Sequence, residues 1–229
     1  MLIEGLIIVL SILLAFSIDA LWQDHRQSQE SEAVLESLRS DFERTGVELE
    51  RVLANHGRGQ SAAAELIRLI DQGVTASDAL TVDSLTSEMS FAGATFDPPM
   101  GTVQALLASG EISLLDDPEL RAELTAWPAN STDLIQEESA TLGEMGKLFA
   151  RLSELGIPTR HHVLGVNKAA VGLDVPWEVR RTNTWQRLDD VVLQNAISDI
   201  WFGLTSALTD GAKLEASYRR IVALLGPGA

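Results

Sequence analysis

The sequence contains no cysteine. Disulfides, thiolate metal sites and thiol nucleophiles are therefore excluded, while the redox compartment stays open. Histidine is scarce too, with only His25, His56 and the pair His161-His162. None stands in Glu-x-x-His or His-x-x-x-His spacing, so the patterns of helical di-iron and zinc-hydrolase sites are missing. A glycine-rich phosphate loop and a Gly-x-Ser-x-Gly elbow are missing as well. Basic charge is in short supply: 17 Lys and Arg stand against 33 Asp and Glu, a formal net charge of −16. Residues 61–156 hold 16 acids and 4 bases, whereas 157–229 hold 7 acids and 8 bases. Nucleic acid requires a Lys/Arg stripe, which this acidic body lacks. Its charge reads as a solvated surface that keeps the domain soluble.

What the chain does have is one apolar run, at its start: MLIEGLIIVLSILLAFSIDALWQ. Gly5 to Ile18 carry no charge. As a helix these residues rise only about 21 Å, short of a hydrocarbon core of roughly 30 Å. The whole of 1–22 is long enough, with Glu4 and Asp19 near its two edges, where a carboxylate stays partly hydrated. Trp22 fits an interfacial anchor. A cleavable signal peptide is the rival reading, with Ala15-Phe16-Ser17 as the cut site, but no Lys or Arg precedes the run. An uncleaved transmembrane anchor over 1–22 is expected. At about 100° per residue, Glu4, Ser11, Ala15 and Trp22 lie within about 20° of one line, with Asp19 about 60° away. Such a polar and small stripe suits contact with another helix in lipid. The plainer alternative places Glu4 at the positive helix end and Asp19 among headgroups.

A polar stretch, 23–34, follows as a juxtamembrane helix or linker. Then Leu35, Leu38, Phe42, Thr45, Leu49, Val52 and His56 alternate spacings of three and four, a seam of coiled-coil type. It serves a bundle within the domain or a parallel oligomer equally in pattern. His56 reads as a helix-end residue ahead of Gly57-Arg58-Gly59. Further helices are expected at 62–70, stopped around Gly73, at 82–89 from a cap at Asp83, and after Asp97 with Pro98 in first position and a stop at Ser109-Gly110. Asp117-Pro118 repeats the start signal, helicity runs on to 155 past Pro128, and a last helix begins near Leu188. Pro158, Gly165, Gly172 and Pro176 break 156–187 into an irregular segment. The expected class is all-α: a transmembrane helix, then a helical-bundle domain over 35–229.

The order Glu4, apolar run, Ala15, Asp19, Trp22, then a charged helix, resembles a family of bacterial membrane-anchored proteins known only as a domain of unknown function. The segment TVQALLASGEISLLDDPELRAELTAW is similar to that family's second signature, through Leu106, Ser109-Gly110, Leu115, Leu120 and Leu124. The resemblance implies a single-pass protein of the bacterial inner membrane with a periplasmic soluble domain; it implies no activity. Structurally the second signature is a helix stop, a linker and a capped restart.

Paired acids at Asp116-Asp117, Glu137-Glu138 and Asp189-Asp190 read as helix starts and exposed faces rather than catalytic dyads. No catalytic residue, metal ligand or cofactor is assigned. The most site-like group is Arg160, His161, His162, Lys168, Trp177, Arg180, Arg181 and Trp185. Cations interleaved with tryptophan suit an anion or a partner's acidic face, or else neutralise the domain's own acidic helices. The expected role is a membrane-anchored scaffold or accessory subunit, meeting lipid and other membrane helices or further copies of itself. The alternative is a tethered sensing domain that binds an anion near 157–187.

Overall fold

The computed structural model describes residues 2–90, 92–159 and 183–226; of residues 2–12, 15, 20, 24 and 27 it describes the backbone alone. The described residues form helices and turns, with no strand among them, so the class is all-α. Five α-helices are present: α1 (Leu2–Gln72), α2 (Ala79–Ser90), α3 (Gly101–Ser109), α4 (Pro118–Glu154) and α5 (Val191–Leu225). Short 3-10 turns lie at Ala76–Asp78, Glu111–Leu114 and Thr184–Arg187. Among the described residues no helix is long and apolar enough to cross a membrane. Most of the leading apolar run falls on side chains outside that description.

Helix boundaries follow local chemistry, with three departures from the sequence reading. α1 is a single helix of 71 residues that passes through Gly57-Arg58-Gly59 and absorbs 62–70. It stops where expected, at Gly73, whose φ of 84° suits glycine. α2 starts earlier than Asp83, which is buried inside it. The start signal is instead a capping box one turn upstream, where Thr75 N–H donates to the Asp78 carboxylate at 2.8 Å. α3 begins at Gly101 rather than Pro98. Pro99 disfavours the helical conformation for the residue before it, so the Asp97-Pro98 start fails. Asp117 does cap α4, accepting from Glu119 N–H at 2.8 Å and Leu120 N–H at 3.2 Å. Pro128 lies inside α4 without ending it. Asp190 caps α5 through Leu193 N–H at 2.9 Å and receives both Arg151 nitrogens, at 3.0 and 2.5 Å. The Arg151 guanidinium and then the Leu193 amide hold its carboxyl down at about 2.

The chain divides into two compact units. The first comprises residues 1–44, 99–126 and 219–229. Leu38, Phe42, Val103, Leu106, Leu115, Leu120, Leu124, Ile221 and Leu225 are its buried apolar groups among the described residues. Thr102 donates its hydroxyl to Asp41 at 2.5 Å, and Arg220 pairs with Glu123 at 2.5 Å. Arg39 reaches the last turn of α5, donating from two nitrogens to the Leu225 carbonyl at 3.1 and 3.0 Å. That carbonyl has no partner within its own helix, so the arginine supplies what the helix end lacks.

The second unit comprises residues 45–98 and 127–218. Leu53 lies at Gly211 and Gln60 donates to the Thr205 hydroxyl, so α5 runs antiparallel to α1. Thr141 lies at Gly203, bringing α4 against α5. Each helix presents a seam spaced alternately by three and four. In α1 it is Thr45, Leu49, Val52, His56, Gly59, Ala63 and Leu66, all buried. In α4 it is Trp127, Ser131, Leu134, Glu138, Thr141, Met145, Leu148 and Leu152, and in α5 Leu193, Ile197, Ile200, Leu204, Ala207, Gly211 and Leu214, again all buried. A repeat of seven keeps one face inward over many turns, as in coiled coils. Glycine on the seam allows close approach: a Cβ at Gly59 would collide with the Cβ of Ala92.

Gly57 and Gly59 make a paired test, because a Cβ at Gly57 would meet nothing within 4 Å. Gly57→Ala is expected to raise the unfolding free energy by about 0.5–1 kcal/mol through helix propensity. Gly59→Ala gains the same propensity but overpacks, at roughly 1–3 kcal/mol, and is expected to be the less stable. Urea midpoints of the two variants check the order.

Candidate functional site

A buried polar layer interrupts the second unit's core. His56 and Glu138 are 1 % and 2 % exposed. His56 Nε2 lies 2.9 Å from Glu138 Oε1, and Nδ1 lies 2.8 Å from the Ala92 carbonyl oxygen. The other carboxyl oxygen, Oε2, accepts from Phe96 N–H at 2.8 Å. A carbonyl can only accept, so the ring donates from Nδ1. One further proton then lies between Nε2 and Oε1, and the pair as a whole is neutral.

Each member is held by a different element. His56 sits on the α1 seam and Glu138 on the α4 seam, and Ala92 and Phe96 belong to the connection between α2 and α3. That connection has no helix of its own from 92 to 100. It is fixed by Ala92 against Gly59, by Gly93 against Leu142 and Met145, and by the two bonds to the pair. His56 is thus a mid-helix clamp, not the helix-end residue its following glycines suggest. Glu138 is buried, not on an exposed face. Its place in the three-four spacing of α4 was the available signal, masked by Ser131 and Thr141 on the same seam. Closed from solvent, the pair suits a structural clamp.

The residues singled out by sequence are not gathered into one site. Glu4, Ser11 and Ala15 have side chains outside the described residues. Asp19 is exposed and accepts from Gln23 at 3.2 Å, and Trp22 is 67 % exposed. Of the seam residues, Leu38, Phe42, Leu49 and Val52 are buried and Leu35 half-buried. Arg160, His161, His162, Lys168, Trp177, Arg180 and Arg181 lie outside the described residues. Trp185 is half-buried and packs against the apolar cluster that contains Leu148, Leu152 and Leu188. A shallow groove of about 430 Å³ runs along Ala54, Gly57, Arg58 and Ser61 of α1 and Leu85 and Glu88 of α2. Ser61 in its lining donates its hydroxyl to the Gly57 carbonyl at 2.8 Å. Among the described residues no cluster of His, Asp and Glu is placed to hold a metal ion.

Removing one member of a buried hydrogen-bonded pair leaves the other's polar atom unsatisfied, which costs roughly 1–3 kcal/mol. Glu138→Ala is expected to lose that much stability, whereas His56→Leu combined with Glu138→Leu recovers most of it. Chemical denaturation of the single and double variants provides the measurement.

Comparison with protein-family models, with curated proteins and with solved structures finds no match to this chain.

Proposed function

We propose that the protein is a membrane-anchored helical scaffold or accessory subunit, acting through contacts with other proteins. The observation that carries the reading is the uncharged apolar stretch Gly5–Ile18 at the head of the 71-residue helix α1. Where its side chains are described, they are exposed: Leu13 56 %, Leu14 63 %, Phe16 68 %, Ile18 59 %, with Leu21 at 70 % and Trp22 at 67 % just beyond. Contiguous exposed apolar surface of this kind is a place for lipid or for another chain. The run is the length of a span when the flanking residues to Trp22 are counted, and Trp22 suits the interface. Glu4, Ser11, Ala15 and Asp19 give it a stripe for a second membrane helix. Among the described residues the His56–Glu138 clamp is closed from solvent, which fits a structural part rather than a substrate site. By resemblance, the membrane is the bacterial inner membrane and the bundle is periplasmic.

The test is the mass and composition of the full chain, tagged at its C-terminus and extracted in mild detergent at native abundance. A stoichiometric companion or a fixed homo-oligomer is expected, with Glu4→Leu/Asp19→Leu breaking it. A lone monomer, or an unchanged assembly in the double variant, would contradict the reading.

A further inference from the structure

The part of α1 between the apolar run and the packed core has an unusual composition. Residues 23–33 read QDHRQSQESEA, polar on every side of the helix. Every described residue from Leu13 to Glu30 is exposed, and the first buried one is Leu38. A helix that is polar all round either bridges solvent or does not persist, unless side-chain pairs one turn apart support it. Here such pairs are in place. Gln23 donates to Asp19 at 3.2 Å, Gln29 bonds His25 at 3.2 Å, and Arg26 lies 3.3 Å from Glu30. All three are four residues apart, the spacing at which helix neighbours meet. No glycine or proline occurs between Gly5 and Gly46, so nothing in the sequence invites a kink. Nucleation, the costly step of helix formation, is supplied at the C-terminal end by the packed turns from Leu38 onward.

We infer that residues 23–33 form a free-standing helical stalk that holds the packed part of the first unit at a fixed height above the bilayer. The inference rests on the membrane anchor proposed above. From Trp22 to Leu38 is sixteen residues, a rise of about 24 Å. The stalk is acidic apart from His25 and Arg26, which disfavours lying flat on an anionic lipid surface. It offers no apolar stripe, so it is a spacer rather than an interface. Partner contacts then fall either to the membrane helix or to the bundle, at separate heights.

The absence of native cysteine makes the test direct. Single cysteines are placed in turn along 13–38 of the full chain, spin-labelled and reconstituted in phosphatidylcholine–phosphatidylglycerol vesicles. Accessibility to oxygen and to a water-soluble nickel chelate is read at each position, and distance to labelled headgroups is read by energy transfer. The stalk predicts oxygen access at 13–18, even chelate access at 24–33 without helical periodicity, and a distance that grows by about 1.5 Å per residue to 38. Periodic chelate access at 24–33, or a distance that stays flat, overturns the stalk while leaving the anchor standing. Loss of oxygen access at 13–18 overturns the anchor and, with it, the height above a bilayer.

Discussion

Two polar side chains joined by a hydrogen bond, with almost no contact with water, sit in the core of the second unit, and their needs organise what surrounds them. His56 and Glu138 each have a second bond to satisfy after pairing with each other, and backbone groups of one connection satisfy both. Buried polar groups are tolerated when their hydrogen-bonding capacity is met. Residues 92–98, with no helix of their own, are held by these bonds to α1 and α4. The clamp also sets register. Sliding α1 against α4 by one turn would bring an apolar side chain opposite the carboxylate and leave it unpaired, the use of a buried polar layer best attested in coiled coils.

Small residues make that layer possible. Antiparallel pairing of α1 and α5 through Leu53 with Gly211 and Gln60 with Thr205 puts Ala207 at about the level of His56. Gly59 lets Ala92 approach closely enough for its carbonyl to reach the ring. Glycine within a helix is unfavourable for the isolated segment, and these positions persist because packing demands the missing Cβ. Local propensity and tertiary packing disagree here, and packing wins.

That disagreement explains what the sequence conceals. Class, the stop at Gly73, the Asp117 cap and the long C-terminal helix are legible because each is written in local chemistry. The α1 seam is legible as far as Val52, where leucine and phenylalanine carry it. Beyond that it passes into His56, Gly59 and Ala63, which look like a helix end when read locally. The α4 seam is hidden for the same reason, since Ser131, Glu138 and Thr141 occupy inward positions. The clamp was illegible because its partners lie far apart in sequence and two of its three bonds come from backbone, which no side-chain motif announces. In the proposed reading, anchor, stalk and bundle divide the labour: lipid contact, height and recognition occupy successive lengths of one helix.

His56 is fixed by two hydrogen bonds, from Nδ1 to the Ala92 carbonyl and between Nε2 and the Glu138 carboxyl group. Nitrogen-15 spectroscopy of the folded protein, with the histidine ring nitrogens labelled, is the measurement for it. A slowly exchanging Nδ1 proton for His56, a hydrogen-bonded Nε2 and a protected Phe96 amide are expected. A His56 ring protonated at Nε2 alone, or one whose protons exchange as freely as those of exposed His25, would contradict it.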